Sequence, residues 1–360
     1  MAQKNRNQAP EMTPSPPFRQ SLLNKRTREP SSAGRATKIR LDLNENTAGC
    51  SPAVRKALAR LSAKQIAMYP DYGASSRRIA SGLGVKREEM ILTNGGDEAL
   101  RVFFDAFVDP GTAVLFCDPT FPMYRFWAEL FGGQIVALRY TDRMEFPVGE
   151  FVRQLASKPR LAFIANPNNP TGTLLPLDSL KRILDAASDT ALVIDEAYVD
   201  FSRVTVLPWC RRHPNLFVVR TFSKVAGLAG LRLGCVLGHR DSLRILRGAL
   251  APFGVNLAAL AAAEAALADR KALAGYIARI KQVRSEFSAA LCQMGVRVFP
   301  SVGNFLLVDF GPDGPALLRQ LGRNGILLRD RPDIGPGFIR ITIGTPAEMN
   351  RVLREIRRYR

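Results

Sequence analysis

Mostly apolar runs, separated by stretches with apolar residues at helical spacing, make up the middle of the chain. The runs lie at residues 113–117, 134–138, 161–165, 191–195, 216–220 and 233–238. Runs of this length without regular polar alternation are typical of strands that are buried on both faces. Helical patterns lie between them at residues 97–107, 121–131 and 177–187. This order predicts a largely parallel sheet that is covered by helices.

The two ends of the chain carry a different pattern. Residues 39–43 predict a short strand, and Ser51-Pro52 predicts the start of a helix that runs to about residue 63. Near the C-terminus, residues 271–292 keep apolar positions at helical spacing over six turns. Beyond this long helix the sequence predicts strands and helices at residues 304–309, 317–323, 326–329, 338–343 and 346–357, with Thr345 as the cap of the last helix.

The predicted fold class is α/β, with a large domain built on a mostly parallel mixed sheet covered by helices and a smaller α+β C-terminal domain. We expect residues 1–38 to form a basic, flexible N-terminal arm, because they are rich in Pro, Gln, Asn and Ser. Residues 39–68 form an N-terminal segment associated with the small domain. The large domain then spans residues 69–255 and the small domain residues 256–360.

Composition narrows the class of protein. The chain has 360 residues, of which 46% are hydrophobic and 23% charged, so it can bury a large core without crosslinks. Its five cysteines are widely scattered and form no C-x-x-C pair, which favours neither a disulfide framework nor a zinc site and indicates a reducing cytosol. No stretch approaches 18 apolar residues, and no signal peptide is visible. We therefore expect a soluble cytoplasmic protein without membrane contact.

The net charge of +19 is concentrated at the two ends of the chain. Residues 1–40 carry nine Lys/Arg against two acids, and residues 351–360 carry five Arg against one Glu. Such ends give a weak, salt-sensitive affinity for polyanions. No RNP, zinc-finger or helix-turn-helix signature accompanies them, so we do not expect nucleic acid as a functional partner.

Three motifs follow the ends of predicted strands. They are Asn166-Pro-Asn-Asn-Pro-Thr-Gly172, Asp195-Glu-Ala-Tyr198, and Thr221-Phe-Ser-Lys224 with Arg232 shortly after it. Ligands of a parallel sheet bind at the carboxyl ends of its strands, where these motifs lie. The motifs supply an amine for an aldehyde, a carboxylate for a ring nitrogen, donors for a ring oxygen and a guanidinium for a phosphate. Pyridoxal 5′-phosphate (PLP) needs this set of groups, which predicts an enzyme that uses this cofactor.

Each of these groups also has an alternative interpretation. Asp195 at the end of an apolar strand could be a Walker-B acid, but the chain has no G-x-x-x-x-G-K-[ST] loop. Thr93-Asn-Gly-Gly-Asp-Glu98 precedes a helix, so its backbone N–H groups could cradle a phosphate, or the segment could be an ordinary helix start. Tyr124 could stack on a planar ring or belong to the core.

Arg340 stands in the middle of an apolar strand, and a buried arginine must find an anion. That anion is either a substrate carboxylate or phosphate, or a structural Asp or Glu. Arg329 is a second candidate for binding a substrate anion. The only histidines, His213 and His239, lie outside every motif, so we expect no catalytic triad and no metal site.

The motifs, in this order and spacing, resemble those of the fold-type I aminotransferases, whose fold is aspartate-aminotransferase-like. The similarity runs from about residue 41 to the C-terminus. Within this group the chain is similar to the histidinol-phosphate aminotransferases through Leu43-Asn-Glu-Asn46, Tyr69-Pro-Asp71 and Asp195-Glu-Ala-Tyr198. The resemblance implies a PLP-binding large domain with these cofactor-binding residues: Gly96, Asp97, Tyr124, Asn169, Asp195, Tyr198, Ser223 and Arg232.

The same resemblance implies a role for each group. Lys224 would bond to the cofactor aldehyde and act as the general acid and base. Asp195 would pair with the ring nitrogen, Tyr198 and Asn169 would hold the ring oxygen, and Tyr124 would stack on the ring. Ser223 and Arg232 would bind the cofactor phosphate with Gly96 and Asp97.

Two further roles concern the subunit partner and the substrate. Tyr69 would reach the cofactor phosphate of a neighbouring subunit, which implies a homodimer. Arg329 and Arg340 would hold the anionic end of either substrate. The implied reaction interconverts L-histidinol phosphate plus 2-oxoglutarate and imidazole-acetol phosphate plus L-glutamate, and histidine biosynthesis uses it to form L-histidinol phosphate.

The chain departs from the resembled family at two positions. Family members commonly carry a tyrosine in the N-terminal arm, whereas the first tyrosine here is Tyr69, and Thr47 stands where proline is usual. An aromatic amino acid aminotransferase or a threonine-phosphate decarboxylase on the same scaffold therefore stays open as an alternative. A non-catalytic basic binding protein is a more remote one.

Overall fold

The computed structural model describes residues 19–23 and 34–359 of the chain. Most of the predicted N-terminal arm thus lies outside the described residues. Within these residues twelve strands are found: β1 Ile39–Leu41, β2 Met90–Thr93, β3 Ala113–Asp118, β4 Gln134–Arg139, β5 Leu161–Ala165, β6 Ala191–Asp195, β7 Leu216–Thr221, β8 Gly234–Gly238, β9 Arg297–Val298, β10 Phe305–Asp309, β11 Ile326–Asp330 and β12 Phe338–Thr342.

The helices alternate with the strands through most of the chain. Within the described residues they are α1 Gln20–Leu23, α2 Pro52–Ala59, α3 Ala63–Ile66, α4 Tyr72–Leu83, α5 Gly95–Phe107, α6 Met123–Leu130, α7 Val148–Leu155, α8 Leu177–Ala186, α9 Val199–Ser202, α10 Arg240–Leu246, α11 Leu257–Ala268, α12 Arg270–Gln293, α13 Gly314–Arg323 and α14 Pro346–Tyr359.

Seven strands form the larger sheet in the order β2-β8-β7-β6-β5-β3-β4. Neighbouring strands from β7 to β4 are parallel, β8 is antiparallel to β7, and β2 is antiparallel to β8. Every residue of β5 and β6 is buried, as the unbroken apolar runs predicted. The sheet is mixed but mostly parallel, so the predicted α/β class is confirmed.

Successive residues of each central strand enter different cores, because side chains alternate between the two faces of a sheet. In β6, Leu192 and Ile194 join the core that contains residues of α4, α8 and α11. Ala191 and Val193 join the core that contains residues of α5, α6 and α10. Helices thus cover both faces of the larger sheet.

The five-stranded sheet has the order β1-β11-β12-β10-β9. Strand β1 pairs in parallel with β11, so the N-terminal segment forms an edge of a sheet whose other strands come from the C-terminal part. The core beside this sheet contains residues of α12, α13 and α14, and it also takes in Tyr198 and Phe201 from the connection after β6. Tyr198 is therefore held between the two sheets.

The prediction of one helix from Ser51 to about residue 63 is wrong. Helix α2 ends at Ala59, and α3 begins after Ser62, which forms a capping box with Gln65. A serine three residues before a glutamine is a strong start signal, and here it begins a new helix instead of lying inside the first. The predicted cap at Thr345 is present, since Thr345 and Glu348 bond to each other's backbone N–H groups.

Candidate active site

A cleft lies between the carboxyl edge of the larger sheet and the strands β11 and β12. Ten of the predicted site residues line it: Gly96, Asp97, Asn169, Asp195, Tyr198, Ser223, Lys224, Arg232, Arg329 and Arg340. The parallel arrangement of β5, β6 and β7 explains this convergence, because it brings three motifs that are far apart in sequence to one edge.

Asp195 ends β6 and is buried at the floor of the cleft. Its Oδ2 accepts a hydrogen bond of 2.8 Å from the Tyr124 hydroxyl, and its Oδ1 accepts one of 3.0 Å from the Ala197 N–H. Burial raises the pKa of this carboxyl to about 6, while the two hydrogen bonds and the charge of Lys224 act in the opposite direction. A buried carboxylate of this kind gains by facing a cation.

The structure places Tyr124 differently from the prediction that its ring stacks on a planar ligand. Its side chain is 0% exposed, and its ring stacks on Phe163 with centroids 4.8 Å apart. Tyr124 thus belongs to the core, and its hydroxyl orients the Asp195 carboxylate from the core side. The aromatic side chain that lines the cleft in this segment is Phe121, three residues earlier. Sequence spacing alone does not tell which of Phe121 and Tyr124 faces the cleft, because both lie within a few residues of the end of β3.

Lys224 and Tyr198 lie on one side of the cleft. The Lys224 Nζ is 5.7 Å from the centroid of the Tyr198 ring and donates a 3.1 Å hydrogen bond to the Leu43 carbonyl oxygen. The Tyr198 hydroxyl oxygen accepts a 2.8 Å hydrogen bond from the Asn44 side-chain amide. Since its oxygen accepts this bond, the hydroxyl keeps its own hydrogen to donate into the cleft.

Asn44 is a site residue whose role the sequence did not reveal. It is buried with a left-handed backbone, φ 55°, a conformation in which asparagine is enriched. Its side-chain oxygen and its backbone N–H both bond to the hydroxyl of Thr342, at 3.0 Å each. Asn44 therefore ties Tyr198 to β12, and its place in Leu43-Asn-Glu-Asn46 was the only signal for it.

The start of α5 and the chain around Ser223 form an anion cradle. The first turn of a helix leaves backbone N–H groups without intrahelical acceptors. Arg232 reaches this turn, where its Nη2 lies 2.9 Å from Asp97 Oδ2. The Ser223 and Thr221 hydroxyls are 3.0 Å apart. Helix N–H groups, hydroxyls and a guanidinium thus meet at one place, which suits a phosphate.

Two glycines make this close approach possible. A Cβ on Gly234 would lie 2.7 Å from the carbonyl carbon of Gly95, so β8 could not lie so close to the helix start. A Cβ on Gly95, whose φ is 81°, would lie 2.6 Å from the Arg232 guanidinium. The backbone of the cradle is thus open for a ligand only because side chains are missing at these positions.

Arg340 is almost fully buried on β12 and is held by neutral oxygens. It donates to the Asn169 side-chain oxygen and to the Asp42 carbonyl, while its Nε has no hydrogen-bond partner. No ion pair of Arg340 with an acid is found within residues 34–359, so the structural Asp or Glu partner considered above is not present there. Burial lowers the pKa of this guanidinium to about 10, and it stays charged at neutral pH. An anion from outside the protein is the partner it lacks.

Two more arginines lie on β11 or directly after it. The register between the strands places Arg329 opposite Arg340, and Arg329 is exposed at the cleft. Arg331 is buried, lines the cleft, and forms an ion pair with Asp333. The sequence did not single out Arg331, because an arginine directly after a strand is usually a solvated surface group.

The connection after β6 is fixed by a buried network around Glu196. The Glu196 carboxylate accepts hydrogen bonds from Arg220, from the Thr205 hydroxyl and from the Val206 N–H, at 2.7–3.0 Å. Removing one partner of a buried ion pair such as Arg220–Glu196 costs on the order of 3–5 kcal/mol of folding free energy. The network thus holds the segment that carries Tyr198.

Thr47 and Tyr69 lie away from the floor of the cleft. The Thr47 hydroxyl donates a hydrogen bond of 2.6 Å to the Glu348 carboxylate, which also accepts the Thr345 N–H at the start of α14. This departure from the resembled family therefore has a structural role. Tyr69 is 76% exposed, and its ring centroid is 4.3 Å from that of Phe253. Ile66 and Met68 are exposed beside it in sequence.

Residues 19–23 and 34–359 contain neither a metal-binding cluster nor a membrane-spanning helix. No group of three or more His, Cys, Asp or Glu side chains is placed to hold a metal ion. In the same ranges, no helix has the length and apolar character needed to cross a lipid bilayer.

With this geometry in hand, we compared the chain with known proteins. The profile of the family described as aminotransferase class I and II matches residues 36–356. The histidinol-phosphate aminotransferase of Roseiflexus castenholzii is 39% identical over 330 residues, which cover 88% of each chain. Histidinol-phosphate aminotransferase 2 of Legionella pneumophila is 36% identical over 330 residues, which cover 89% of each.

Solved structures agree with the sequence comparison. A crystal structure of histidinol-phosphate aminotransferase from Sinorhizobium meliloti in complex with pyridoxal-5′-phosphate superposes with a TM-score of 0.88 at 26% identity, covering 97% of this chain and 100% of that one. L-threonine-O-3-phosphate decarboxylase from Porphyromonas gingivalis has a TM-score of 0.78 at 25% identity, covering 89% and 99%.

Proposed function

The chain belongs to the aminotransferase class I and II family, and we propose that it transfers an amino group between L-glutamate and imidazole-acetol phosphate in histidine biosynthesis. The forward reaction in this proposal gives L-histidinol phosphate and 2-oxoglutarate. The observation that carries it is one cleft in which Lys224 and Asp195 lie between an anion cradle and a group of arginines. The similarity to named histidinol-phosphate aminotransferases supports the choice of substrate.

The protein is a PLP-dependent transaminase. The residues of the cleft fit this cofactor, because the glycine-lined cradle is open for a phosphate and, within residues 34–359, the buried carboxylate of Asp195 forms no ion pair. When bound, PLP supplies an aldehyde that reacts with amines and a ring that withdraws electrons from the substrate carbon. The other parts of the reaction belong to side chains of this chain.

We assign the phosphate of the cofactor to the cradle. The N–H groups of Gly96 and Asp97, the Ser223 hydroxyl and the Arg232 guanidinium would hold it. The ion pair between Arg232 and Asp97 supports this assignment, since it keeps the guanidinium at the helix start. A helix N-terminus together with an arginine fork is a common phosphate site in proteins.

We assign the ring to the floor of the cleft. Asp195 would stabilise a protonated ring nitrogen, and Tyr124 and Ala197 orient its two oxygens for that purpose. Tyr198 and Asn169 would donate to the ring oxygen. Each is already oriented as a donor: Asn44 occupies the hydroxyl oxygen of Tyr198, and Arg340 occupies the amide oxygen of Asn169. Phe121 replaces Tyr124 as the aromatic residue that would contact the ring.

Lys224 is the residue we assign to bond to the aldehyde and to move the proton. Its Nζ lies in the cleft and donates a hydrogen bond to the Leu43 carbonyl. This bond orients the amine without adding a negative charge beside it. An amine held in place near the substrate carbon can take a proton there and deliver it to the atom two bonds away, which is the 1,3-shift that amino transfer needs. Arg340 and Arg329 would hold the anionic end of the substrate, a phosphate in one half-reaction and a carboxylate in the other.

The experiment that tests the proposal follows one half-reaction. Purified protein in its pyridoxal form is mixed with L-histidinol phosphate, and the visible absorbance of the cofactor is recorded. We expect conversion to the amine form and back again on adding 2-oxoglutarate. Conversion by phenylalanine or tyrosine but not by histidinol phosphate would replace this substrate with an aromatic amino acid.

A decarboxylase acting on threonine phosphate is the second candidate. The arginines at the β11 and β12 side of the cleft, Arg329, Arg331 and Arg340, and the likeness to L-threonine-O-3-phosphate decarboxylase favour it. The two candidates differ in their products, because a decarboxylase releases carbon dioxide and needs no keto acid. Release of carbon dioxide from threonine phosphate in the absence of 2-oxoglutarate would support this second function.

A homodimer and a cytoplasmic location complete the proposal. Exposed Ile66, Met68, Tyr69 and Phe253 form an apolar surface that a second copy of the chain would cover. Tyr69 would then reach the cofactor phosphate of its neighbour. All five cysteines lie within the described residues and are free, which agrees with a reducing compartment.

A further inference from the structure

We propose that Arg331 is a third anion-binding residue of the substrate end of the cleft, and that Asp333 is its resident counter-ion, displaced when a phosphate group binds. This inference rests on the proposed function, since it concerns the same cleft. It adds a specificity determinant that favours a phosphorylated substrate over one that carries only a carboxylate.

The pair has an unusual distribution of burial. The side chain of Arg331 is 8% exposed, whereas that of Asp333 is 54% exposed. The Arg331 Nε lies 2.8 Å from one carboxylate oxygen of Asp333, and its Nη2 contacts the other. A buried guanidinium is therefore bound in a fork by an acid that faces the solvent of the cleft. The fork geometry equally suits two oxygens of a phosphate.

The cation is fixed, while the acid can leave. The Arg331 backbone N–H bonds to the Phe338 carbonyl at 2.9 Å, and its carbonyl accepts the Ile334 N–H at 3.0 Å. These bonds anchor the turn that carries both side chains. Asp333 is on the exposed side of this turn, so rotation of its side chain into water leaves these two backbone bonds intact and gives up, besides the ion pair, the bond of the carboxylate to its own backbone N–H. An incoming anion can thus take its place without a change of fold.

The charge around Arg331 is not balanced by the protein alone. Burial lowers the pKa of Arg340, and the charges of Arg331 and Arg329 lower it further, while Tyr198 and Asp42 act in the opposite direction, so Arg340 interacts with both other guanidiniums. Within residues 34–359, Asp333 is the one acid that forms an ion pair with any of the three. Asp330 also lines the cleft, but it forms no ion pair there and alternates in direction with Arg329 along β11.

This imbalance selects the kind of anion. Once Asp333 is displaced, none of the three guanidiniums is ion-paired with an acid of residues 34–359. A phosphate monoester close to its dianionic form brings two negative charges to them, whereas a carboxylate brings one. We therefore expect the phosphorylated amine to use Arg331 fully and glutamate to use it little.

The test measures the dissociation constant of inorganic phosphate with the holoenzyme by calorimetry, with the cofactor cradle filled. Arg331→Gln is expected to weaken phosphate binding by about tenfold or more, as expected for loss of charge-assisted hydrogen bonds. Asp333→Asn removes the competing charge and is expected to tighten phosphate binding several-fold. Acetate, used as the carboxylate probe, should respond less to both changes. Arg323→Gln, at the exposed end of α13, is the matched control.

Steady-state kinetics provide a second readout. Arg331→Gln should raise the KM for histidinol phosphate far more than that for glutamate, and Arg331→Lys should restore part of the loss. Unchanged phosphate affinity in Arg331→Gln would overturn the inference. So would weaker phosphate binding in Asp333→Asn, because it would show that the acid positions the arginine and does not compete for it. If histidinol phosphate is not a substrate while phosphate binding still follows Arg331, the proposed function fails and this inference stands.

Discussion

Burial gives Asp195 a chemistry that an exposed aspartate does not have. Its pKa rises from 3.8 to about 6 because the carboxylate is taken out of water, even though Tyr124 donates to it. Without a cation in direct contact, the charged form of the carboxyl is costly, and the difference in pKa corresponds to about 3 kcal/mol. The buried carboxylate thus lowers the stability of the cofactor-free protein, and a protonated ring nitrogen would offset this cost.

Asp195→Asn should therefore stabilise the cofactor-free protein while it abolishes transamination. Because the folded pKa is raised, the carboxyl contributes stability that is full below pH 3.8 and is lost as the pH rises through 6. The variant should be more stable than the wild type at pH 8, and the difference should shrink by roughly 1 kcal/mol at pH 5. Urea unfolding at both pH values measures it.

The control for this prediction is an exposed acid outside the cleft, Asp185→Asn in α8, whose side chain is 57% exposed. Its free energy of unfolding should stay close to that of the wild type at both pH values, and its activity should be nearly unchanged. If Asp195→Asn lowers stability equally at both pH values, the carboxylate has a structural role that burial does not explain.

At the level of residues, the motifs predicted which groups meet but not how they are paired. Asp97 and Arg232 are 135 residues apart, and Asn169 and Arg340 are 171 apart. Such pairs follow from the packing of whole elements and leave no local signal. For the same reason the resemblance places Tyr124 on the ligand, although its side chain points into the core against Phe163.

At the level of elements, the anion cradle depends on how closely β8 approaches the start of α5. A methyl group on Gly234 would lie 2.7 Å from the Gly95 carbonyl carbon, so backbone must move to admit it. Gly234→Ala should therefore displace the helix start, weaken PLP binding at least about tenfold, and cost on the order of 1–3 kcal/mol of stability. Equilibrium binding of PLP to the cofactor-free protein, followed by fluorescence, measures the first effect.

Gly248→Ala is the matched control, because a Cβ there would meet nothing within 4 Å and its φ is not positive. It should bind PLP as the wild type does. Normal binding by Gly234→Ala would contradict the account of the cradle.

The sequence predicted the long or fully buried elements best. Strands β5 and β6 have the predicted bounds, because each is an unbroken apolar run between polar ends. The four-residue β2 and the two-residue β9 were missed, since each is defined by pairing with a distant strand. The connection between β1 and the C-terminal strands is likewise a long-range pairing that no local pattern encodes.

At the level of the whole molecule, the exposed apolar surface around Tyr69 should hold two subunits together. Changing both Met68 and Phe253 to Ser should convert the proposed dimer to a monomer, because these side chains are 57% and 55% exposed in the single chain. Light scattering coupled to size-exclusion chromatography measures the mass. The monomer should also bind PLP more weakly, since Tyr69 would no longer reach a neighbouring cradle.

Ile245→Ser provides the control, because Ile245 is 74% exposed on α10 and is not part of that surface. It should leave the mass unchanged. A wild-type protein that remains monomeric at high concentration would contradict both the proposed dimer and the proposed role of Tyr69 in a neighbouring subunit.

The most direct measurement asks where the cofactor is attached. Holoenzyme is reduced with borohydride, digested, and mapped by mass spectrometry for a pyridoxyl phosphate group. We expect the label on the peptide that contains Lys224, and its loss when Lys224→Arg is treated in the same way. A label on another lysine, or none on a protein that has full transaminase activity, would contradict the account.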